Sequence, residues 1–596
     1  MKKIIAFLCL LPMALLAVSC NGRDNPPAGA DTSSAVNAED NTTAAEETEA
    51  RIVLNDKPGF KVIVPENGTP SELEAANIIR NKIDELIGGY CTLNDDYIAG
   101  WQEHDSEKKE ILVGLTAYGE SSDAFRKLDG VGSYSVTMKG NKLCVAAKTP
   151  KAVVKAAREL AKVLSADNGL VYVPRDINIT GRLDSVWDSY PMPSDGVLKE
   201  IEGDDFRELI CRGIKAEDFD SYCAALTEKG YKEYFTNFVL GTENMYAQFV
   251  DDAEKISLTV LRTVHDDSIR IIRENIADSA LPPVEPVTSE KICDPLFFMI
   301  GVCSAADSAG NGMSFLFRLS DGSFIVWDGG FDDKAADSVT YKRQNAARLL
   351  DLMKKNAPDP SHIRISAWFL THPHVDHGGA MQYFFKNYVV SNGITVDRVV
   401  TWLPSAELCS EYTDGLTYGK VSGYINSLNS VKNTGAVLHR AHPGQVYRLA
   451  DATVEVLYTD DLRLPRYGKD SNPLSVICRI TLAGNTFMIT GDTTSESGGA
   501  GVTAMYGPAL KTDFLQLPHH TINVMIAGFY KCVSPSVILC PVANKTFKDS
   551  YLSNIKAVLG AERVASSAVK ADFNTICFKL PYSGEAPTIT PNTVIK

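Results

Sequence analysis

Positive charge is in short supply in this sequence: 59 Lys and Arg stand against 74 Asp and Glu, a net charge of −15 over 596 residues. The acid is concentrated before residue 297, and the rest of the chain is close to neutral. An acidic first half offers no electrostatic footprint for nucleic acid, whereas the near-neutral second half does not repel an anionic substrate. Beyond the first 20 residues there is no run of about 20 apolar residues, so no later helix is expected to span a membrane. There is no Walker loop and no Gly-x-Gly-x-x-Gly, which removes the common nucleotide-phosphate cradles. A repeat of solenoid period is also absent. The 13 cysteines include no C-x-x-C pair, and Cys144, Cys478, Cys540 and Cys577 lie inside apolar, strand-like runs. They are expected to be buried thiols and not a zinc ribbon or a disulfide framework, with an isolated disulfide left open.

At the N-terminus Lys2 and Lys3 precede an apolar run over residues 4–18, and Ala17-Val18-Ser19-Cys20 places small residues before a cysteine. This resembles a bacterial lipobox, which implies a signal peptide over 1–20, cleavage before Cys20 and lipid on its thiol; an ordinary secretory signal is the alternative. The expected location is the outer face of the cytoplasmic membrane or the periplasm, with the membrane as a partner through Cys20. Residues 21–50, rich in Ala, Thr, Ser, Asn and acidic side chains, cannot bury a core and read as a disordered tether.

The remainder is too long for one core and is expected to divide into units of 51–185, 195–285 and 291–596. The first shows strands near 60–64, 110–114, 134–138 and 143–147. One helix opens at Thr69-Pro70-Ser71, with Ser71 as its cap, and runs to Leu86; another runs from Thr149-Pro150 to Leu164. The order resembles the small α/β domain that precedes the barrel in hexosaminidases and α-glucuronidases. That resemblance implies an architectural role, with carbohydrate contact a weaker implication, and the barrel itself is absent. Residues 195–285 read as an α+β unit with a helix over 216–229 ending at Gly230 and strands near 234–240, 245–250 and 255–262. Pro191-Met192-Pro193-Ser194 and Leu281-Pro282-Pro283-Val284-Glu285-Pro286 read as linkers. No stable protein partner is evident.

The densest chemistry lies in Thr371-His372-Pro373-His374-Val375-Asp376-His377-Gly378-Gly379. Four metal-ligating side chains within six residues are difficult to explain except as a metal site. The apolar run 365–370 before them reads as a buried strand, and the Gly pair is expected to turn the chain into a helix beginning near Ala380. On such a turn His372 and His374 can reach one metal while Asp376 and His377 reach a second. Imidazole with carboxylate suits zinc first, and manganese or iron next.

The His-x-His-x-Asp-His pattern resembles that of the metallo-β-lactamase superfamily, and the other motifs of that fold follow in order. Residues 323–330, ending Trp327-Asp328-Gly329-Gly330, resemble its early strand and Asp-Gly turn. Thr490-Gly491-Asp492 resembles the strand end whose Asp bridges two metals, and Gln516-Leu517-Pro518-His519-His520 the segment that delivers the last His. Either His519 or His520 is the ligand. Asn472-Pro473-Leu474-Ser475 resembles the ComEC-type branch, in which an Asn/Ser motif stands where β-lactamases carry a third His; His439 and His442 lie nearby in sequence as possible substitutes. Thr521-Ile522 departs from the Gly-Ser usual in that branch, which puts the substrate contacts of this loop in doubt. The resemblance covers roughly residues 294–596.

It implies an α/β protein with a C-terminal αββα sandwich preceded by two smaller α+β domains, and a catalytic set of His372, His374, Asp376, His377 and Asp492, with Asp328 in support. Two divalent metals bridged by Asp492 would activate a water for attack on phosphorus or an acyl carbon. Arg463, Arg466 and Lys469 read as a solvated loop, with contact to an anion as the alternative. The expected function is an exported metal-dependent hydrolase acting on phosphodiester bonds. Hydrolysis of an ester, lactone or cell-wall-linked group is one alternative, and a noncatalytic surface binding protein with a degenerate metal site is another.

Overall fold

A computed structural model describes residues 51–54, 61–66, 68–88, 91–97, 104–193, 199–203, 206–276, 279–284, 290–302, 312–331, 344–403, 435–459, 471–522, 525–543 and 547–593. The signal-peptide and tether segments, Cys20, and the loop with Arg463, Arg466 and Lys469 lie outside the described residues.

The first sheet runs, in spatial order, Thr92–Asp95, Lys61–Val64, Glu110–Val113, Lys142–Ala147, Ser133–Lys139 and Asn178–Arg182. Helices Pro70–Ile87 and Pro150–Val163 cover one face through a stripe of Ala75, Ile79, Ile83, Val153, Ala156 and Leu160. The first helix is capped by Thr69 and not by Ser71. Pro70 takes the first helical position, where its missing N–H is no loss, so the cap falls one residue earlier and Glu72 closes a capping box on Thr69.

The second sheet is antiparallel, in the order Lys199–Glu202, Phe206–Arg212, Ser268–Asn275, Ile256–Thr263, Met245–Asp251 and Lys232–Phe238. One face packs on helix Ala216–Glu228 and Trp187. The other face is equally buried: Phe206, Val239, Tyr246, Leu261 and Ile272 join a core with Leu457, Ile477, Met488 and Val502 of the C-terminal region. Tyr246 closes against Gly444, where a Cβ would lie 2.7 Å from the Tyr side chain. At this contact Glu274 is buried between Arg440 Nη1 at 2.6 Å and His442 Nε2 at 3.0 Å. Burial by itself would raise the carboxyl pKa, but the contacts with His442 and Arg440 outweigh it and hold the group down at about 2.

Removing one member of a buried ion group costs about 3–5 kcal/mol, so Glu274→Ala is expected to lower the urea midpoint substantially at pH 7. Because the folded-state value lies below the ordinary 4.5, this stabilisation is complete above pH 4.5 and is lost as pH falls toward 2. The gap between wild type and variant should therefore narrow on acidification; a gap constant from pH 7 to 3 would contradict the assignment.

The C-terminal region is built from two sheets facing each other. The first holds Val437–Arg440, Arg398–Thr401, Arg364–Leu370, Phe324–Asp328, Ser314–Arg318, Leu296–Ile300, Asn574–Lys579 and Thr588–Pro591 in that order. The second holds Val446–Leu449, Ala452–Tyr458, Ile477–Leu482, Asn485–Ile489, Phe514–Gln516, Val537–Cys540 and Ala568–Lys570. Phe297, Phe315, Phe317, Trp327 and Phe369 meet Val454, Phe487, Ile489 and Phe514 between them. Helices Gln344–Asn356 and Val375–Phe384 cover the outside of the first sheet. Helices Ala500–Tyr506 and Ala527–Val533, together with the antiparallel sheet of residues 199–275, cover the outside of the second. The chain is thus an α/β protein whose C-terminal part is an αββα sandwich.

Candidate metal centre

In the first sheet Phe324–Asp328 and Arg364–Leu370 run parallel, and in the second Asn485–Ile489 and Phe514–Gln516 do the same. All four carboxyl ends reach one edge of the sandwich, the position where open parallel sheets expose functional loops. Asp328, the 371–377 turn, Asp492 and the 518–521 turn meet there. Helix Val375–Phe384 begins five residues earlier than the Gly pair suggested. His374 has an extended backbone and stands at the N-cap, and Asp376 lies in the first turn, where a carboxylate is favoured by the helix dipole.

The donor atoms fall into two groups, His372 with His374 and Asp492, and Asp376 with His377 and His520; within each group they lie within 4.8 Å of one another. Asp492 joins the two. Its Oδ2 is 3.1 Å from Nε2 of both His377 and His520 and 3.8 Å from Nε2 of His372. Its Oδ1 is buried without a hydrogen-bond partner among the described residues. An orphaned carboxylate oxygen is costly unless a cation completes it, so the donor set fits a pair of metal ions.

Asp328 orients this set. The N–H and hydroxyl of Thr371 donate to its carboxylate at 2.7 and 2.9 Å, and His377 Nδ1 lies 2.6 Å from Oδ2. Having given its proton to Asp328, the Thr371 hydroxyl accepts from His372 Nδ1 at 3.0 Å. Both imidazoles therefore carry their protons on Nδ1 and turn Nε2 toward Asp492, the arrangement expected of ligating histidines. Burial, followed by repulsion from His377, pushes His372 well below its ordinary pKa, and its Nε2 lies 3.0 Å from His374 Nδ1. Burial opposes charge on His520 too, but Asp492 and Asp376 lift it to about 9. His377 is raised well above the usual imidazole range because Asp492 and Asp328 overcome the same penalty. Without metal, protons on these rings supply the positive charge that the buried carboxylates demand.

The turn Pro518-His519-His520-Thr521 settles the geometry of the last histidine. His519, His520 and Thr521 all have left-handed backbones, φ 49, 52 and 67, at a cost of about 1–3 kcal/mol each for residues with a Cβ. The turn carries His520 inward, buried against Asp376 Oδ2 and Asp492 Oδ2 at 3.1 Å, and leaves His519 outside both donor groups. Ser475 stands beside His372. Its hydroxyl accepts from the Asp492 N–H at 2.9 Å and lies 3.3 Å from His372 Nδ1. Gly491, with φ 55, makes this approach possible, since a Cβ would come within 2.9 Å of Ser475 and Thr371. His439 packs its ring on Tyr447 and His442 faces Glu274, so neither joins the cluster.

Gln516 plays a part the sequence reading overlooked. Fully buried, it accepts from the Thr490 N–H at 2.7 Å and donates Nε2 to the carbonyls of Gly491 and Leu517 at 2.9 and 2.6 Å. It ties the Asp492 turn to the His520 turn. The available signal was a lone amide in the apolar strand Asp513-Phe514-Leu515-Gln516-Leu517.

Residues 308–523 match the family model described as the metallo-beta-lactamase superfamily, and the C-terminal region carries a domain of that superfamily. Its fold and two donor groups imply divalent metal ions. No curated protein matches the chain. Solved structures similar to it include CmlA, a diiron beta-hydroxylase from Streptomyces venezuelae, at 14% identity and a TM-score of 0.29, covering 50% of this chain and 55% of that one. A protein described as a metal-dependent hydrolase from Parabacteroides distasonis has 13% identity and a TM-score of 0.24, over 55% and 97% of the two chains. A Zn-dependent hydrolase of the same superfamily from Thermotoga maritima has 8% identity and a TM-score of 0.21, over 44% and 84%. The match thus spans about half of CmlA, and at these values the likeness bears on no residue's role.

Proposed function

We propose that this protein is an exported metal-dependent hydrolase of phosphodiester bonds. The observation that carries the reading is the single carboxylate, Asp492, shared by two donor groups and left with a buried, unpartnered oxygen. His372, His374 and Asp492 would hold one ion, and Asp376, His377 and His520, with Asp492, the other. Two divalent cations held there, zinc first and manganese or iron next, would supply an activated water near neutral pH and an electrophilic contact for the scissile group. Asp328 and Thr371 keep the imidazole lone pairs turned inward, and Gln516 and Ser475 hold the Asp492 turn against the other ligands. The ComEC-like motif ending in Ser475 supports a phosphodiester over a neutral ester, and the near-neutral charge of residues 297–596 does not repel one.

Metal-replete full chain is expected to hydrolyse bis(p-nitrophenyl) phosphate and short oligonucleotides, with p-nitrophenyl acetate and lactones poor by comparison. Cleavage of esters or lactones with every phosphodiester untouched, with zinc and with manganese, would replace this reading with an acyl hydrolase. Two bound metals with no turnover of either class would favour the noncatalytic binding protein.

The lipobox-like Ala17-Val18-Ser19-Cys20 supports anchorage to a membrane through Cys20. Cys20→Ser should release the protein from membranes or trap it with its signal uncleaved; a correctly cleaved variant that still pellets with membranes rules the anchor out.

A further inference from the structure

Once the two donor groups are filled, His519 is the histidine left over. Its backbone N–H donates to the Gly491 carbonyl at 3.2 Å, which ties it to the turn that bears Asp492. Its Nε2 lies 4.0 Å from Asp492 Oδ2. Burial grades the cluster: His372, His377, Asp492 and His520 form a sealed floor, while the side chains of Asp376 and His519 remain 22% and 27% exposed and His374 is half-buried. A substrate reaching the floor has to pass this rim.

The Nδ1 of His519 is buried without a partner among the described residues. A sealed N–H without an acceptor is rarer and costlier than a sealed lone pair, so the ring carries its proton on Nε2. That nitrogen faces Asp492 and the open side of the site. An N–H donor is thereby held next to the place where the scissile group must sit, on a turn whose left-handed φ values fix its position.

We propose that His519 contacts substrate, donating Nε2–H to a non-bridging oxygen of the scissile phosphoryl group beside Asp492. The proposal rests on the hydrolase reading and deepens it. It makes one face of the phosphoryl group the feature recognised.

The test uses the full chain, metal-loaded, as wild type, His519→Gln and His519→Asn. Gln carries an amide nitrogen about as far as Nε2. Asn accepts the left-handed backbone readily but stops near the position of Nδ1. Metal equivalents, thermal midpoint, affinity for inorganic phosphate, and kcat and KM for bis(p-nitrophenyl) phosphate are measured. Both variants should keep the wild-type metal content. His519→Asn is expected to lose about 10²-fold in kcat/KM, the effect of removing one donor from a developing oxyanion, and about tenfold in phosphate affinity. His519→Gln should recover most of both. Wild-type kcat/KM and phosphate affinity in His519→Asn would overturn the proposal, as would loss of a metal equivalent in both variants, which would make His519 a ligand. Should the wild type turn over no phosphodiester, the function proposed for the site fails separately, and the phosphate affinities of the three proteins still decide the contact.

Discussion

A chain cut to residues 291–596 is expected to be insoluble on expression or, if recovered, to unfold without a cooperative transition. Such a fragment retains every metal-ligand candidate and the whole region matched to the superfamily model, and on sequence grounds it looks self-sufficient. The second sheet of the sandwich, however, has its outer face covered partly by the antiparallel sheet of residues 199–275. Truncation strips Phe206, Val239, Tyr246, Leu261 and Ile272 from Leu457, Ile477 and Met488. Burying an apolar side chain is worth roughly 1.5–3 kcal/mol, so five of them approach the 5–15 kcal/mol that holds a typical domain folded. Arg440 also loses its ion pair with Glu274. Soluble yield and urea unfolding check this. A soluble, cooperatively folding fragment that binds two metals would show that the antiparallel sheet is an appended module.

Asp492→Ala should have the largest effect on the site. The wild type is expected to hold close to two metal equivalents, and the variant one or none, because the first donor group loses a member and the second loses the carboxylate that joins it to the first. Turnover of bis(p-nitrophenyl) phosphate should fall by about 10³-fold, within the range seen when a proton-transferring or charge-stabilising group is lost. The fold should survive, since Asp492 lies at the end of a strand and makes none of the apolar contacts between the sheets. Elemental analysis with circular dichroism separates these outcomes. Unchanged metal content in Asp492→Ala, with the fold intact, would remove the bridging role and with it the reading of a dinuclear centre.

The local parts of the centre were legible because their spacing is short. Between strand Arg364–Leu370 and helix Val375–Phe384 the backbone has few ways to turn, and four donors on such a turn converge whatever the rest of the chain does. The cap of the first helix shows the limit of local signals, since Thr69, Pro70 and Ser71 all carry start information and the choice rests on one reciprocal bond with Glu72. His519 and His520 could not be separated in the sequence for a similar reason. They are adjacent, chemically identical, and differ only in which way a run of positive φ turns them.

By itself, then, the sequence determined the four closely spaced donors of residues 372–377, because ligand types held a few residues apart on one turn converge, while its resemblance to the metallo-β-lactamase superfamily implied the α/β class, the two packed sheets of the C-terminal sandwich and Asp492 as a further donor. Only the tertiary structure decided that His520 and not His519 lies inside the cluster, that Asp328 reaches His372 through Thr371, and that Gln516 ties two ligand turns together. It also decided that the strands Phe206–Arg212 and Ser268–Asn275, which carry Glu208, Arg270 and Glu274, are buried on both sides. A polar side chain in a strand signals exposure only when nothing covers it, and here the covering surface comes from residues some 170 positions further along the chain, where Arg440 and His442 lie against Glu274.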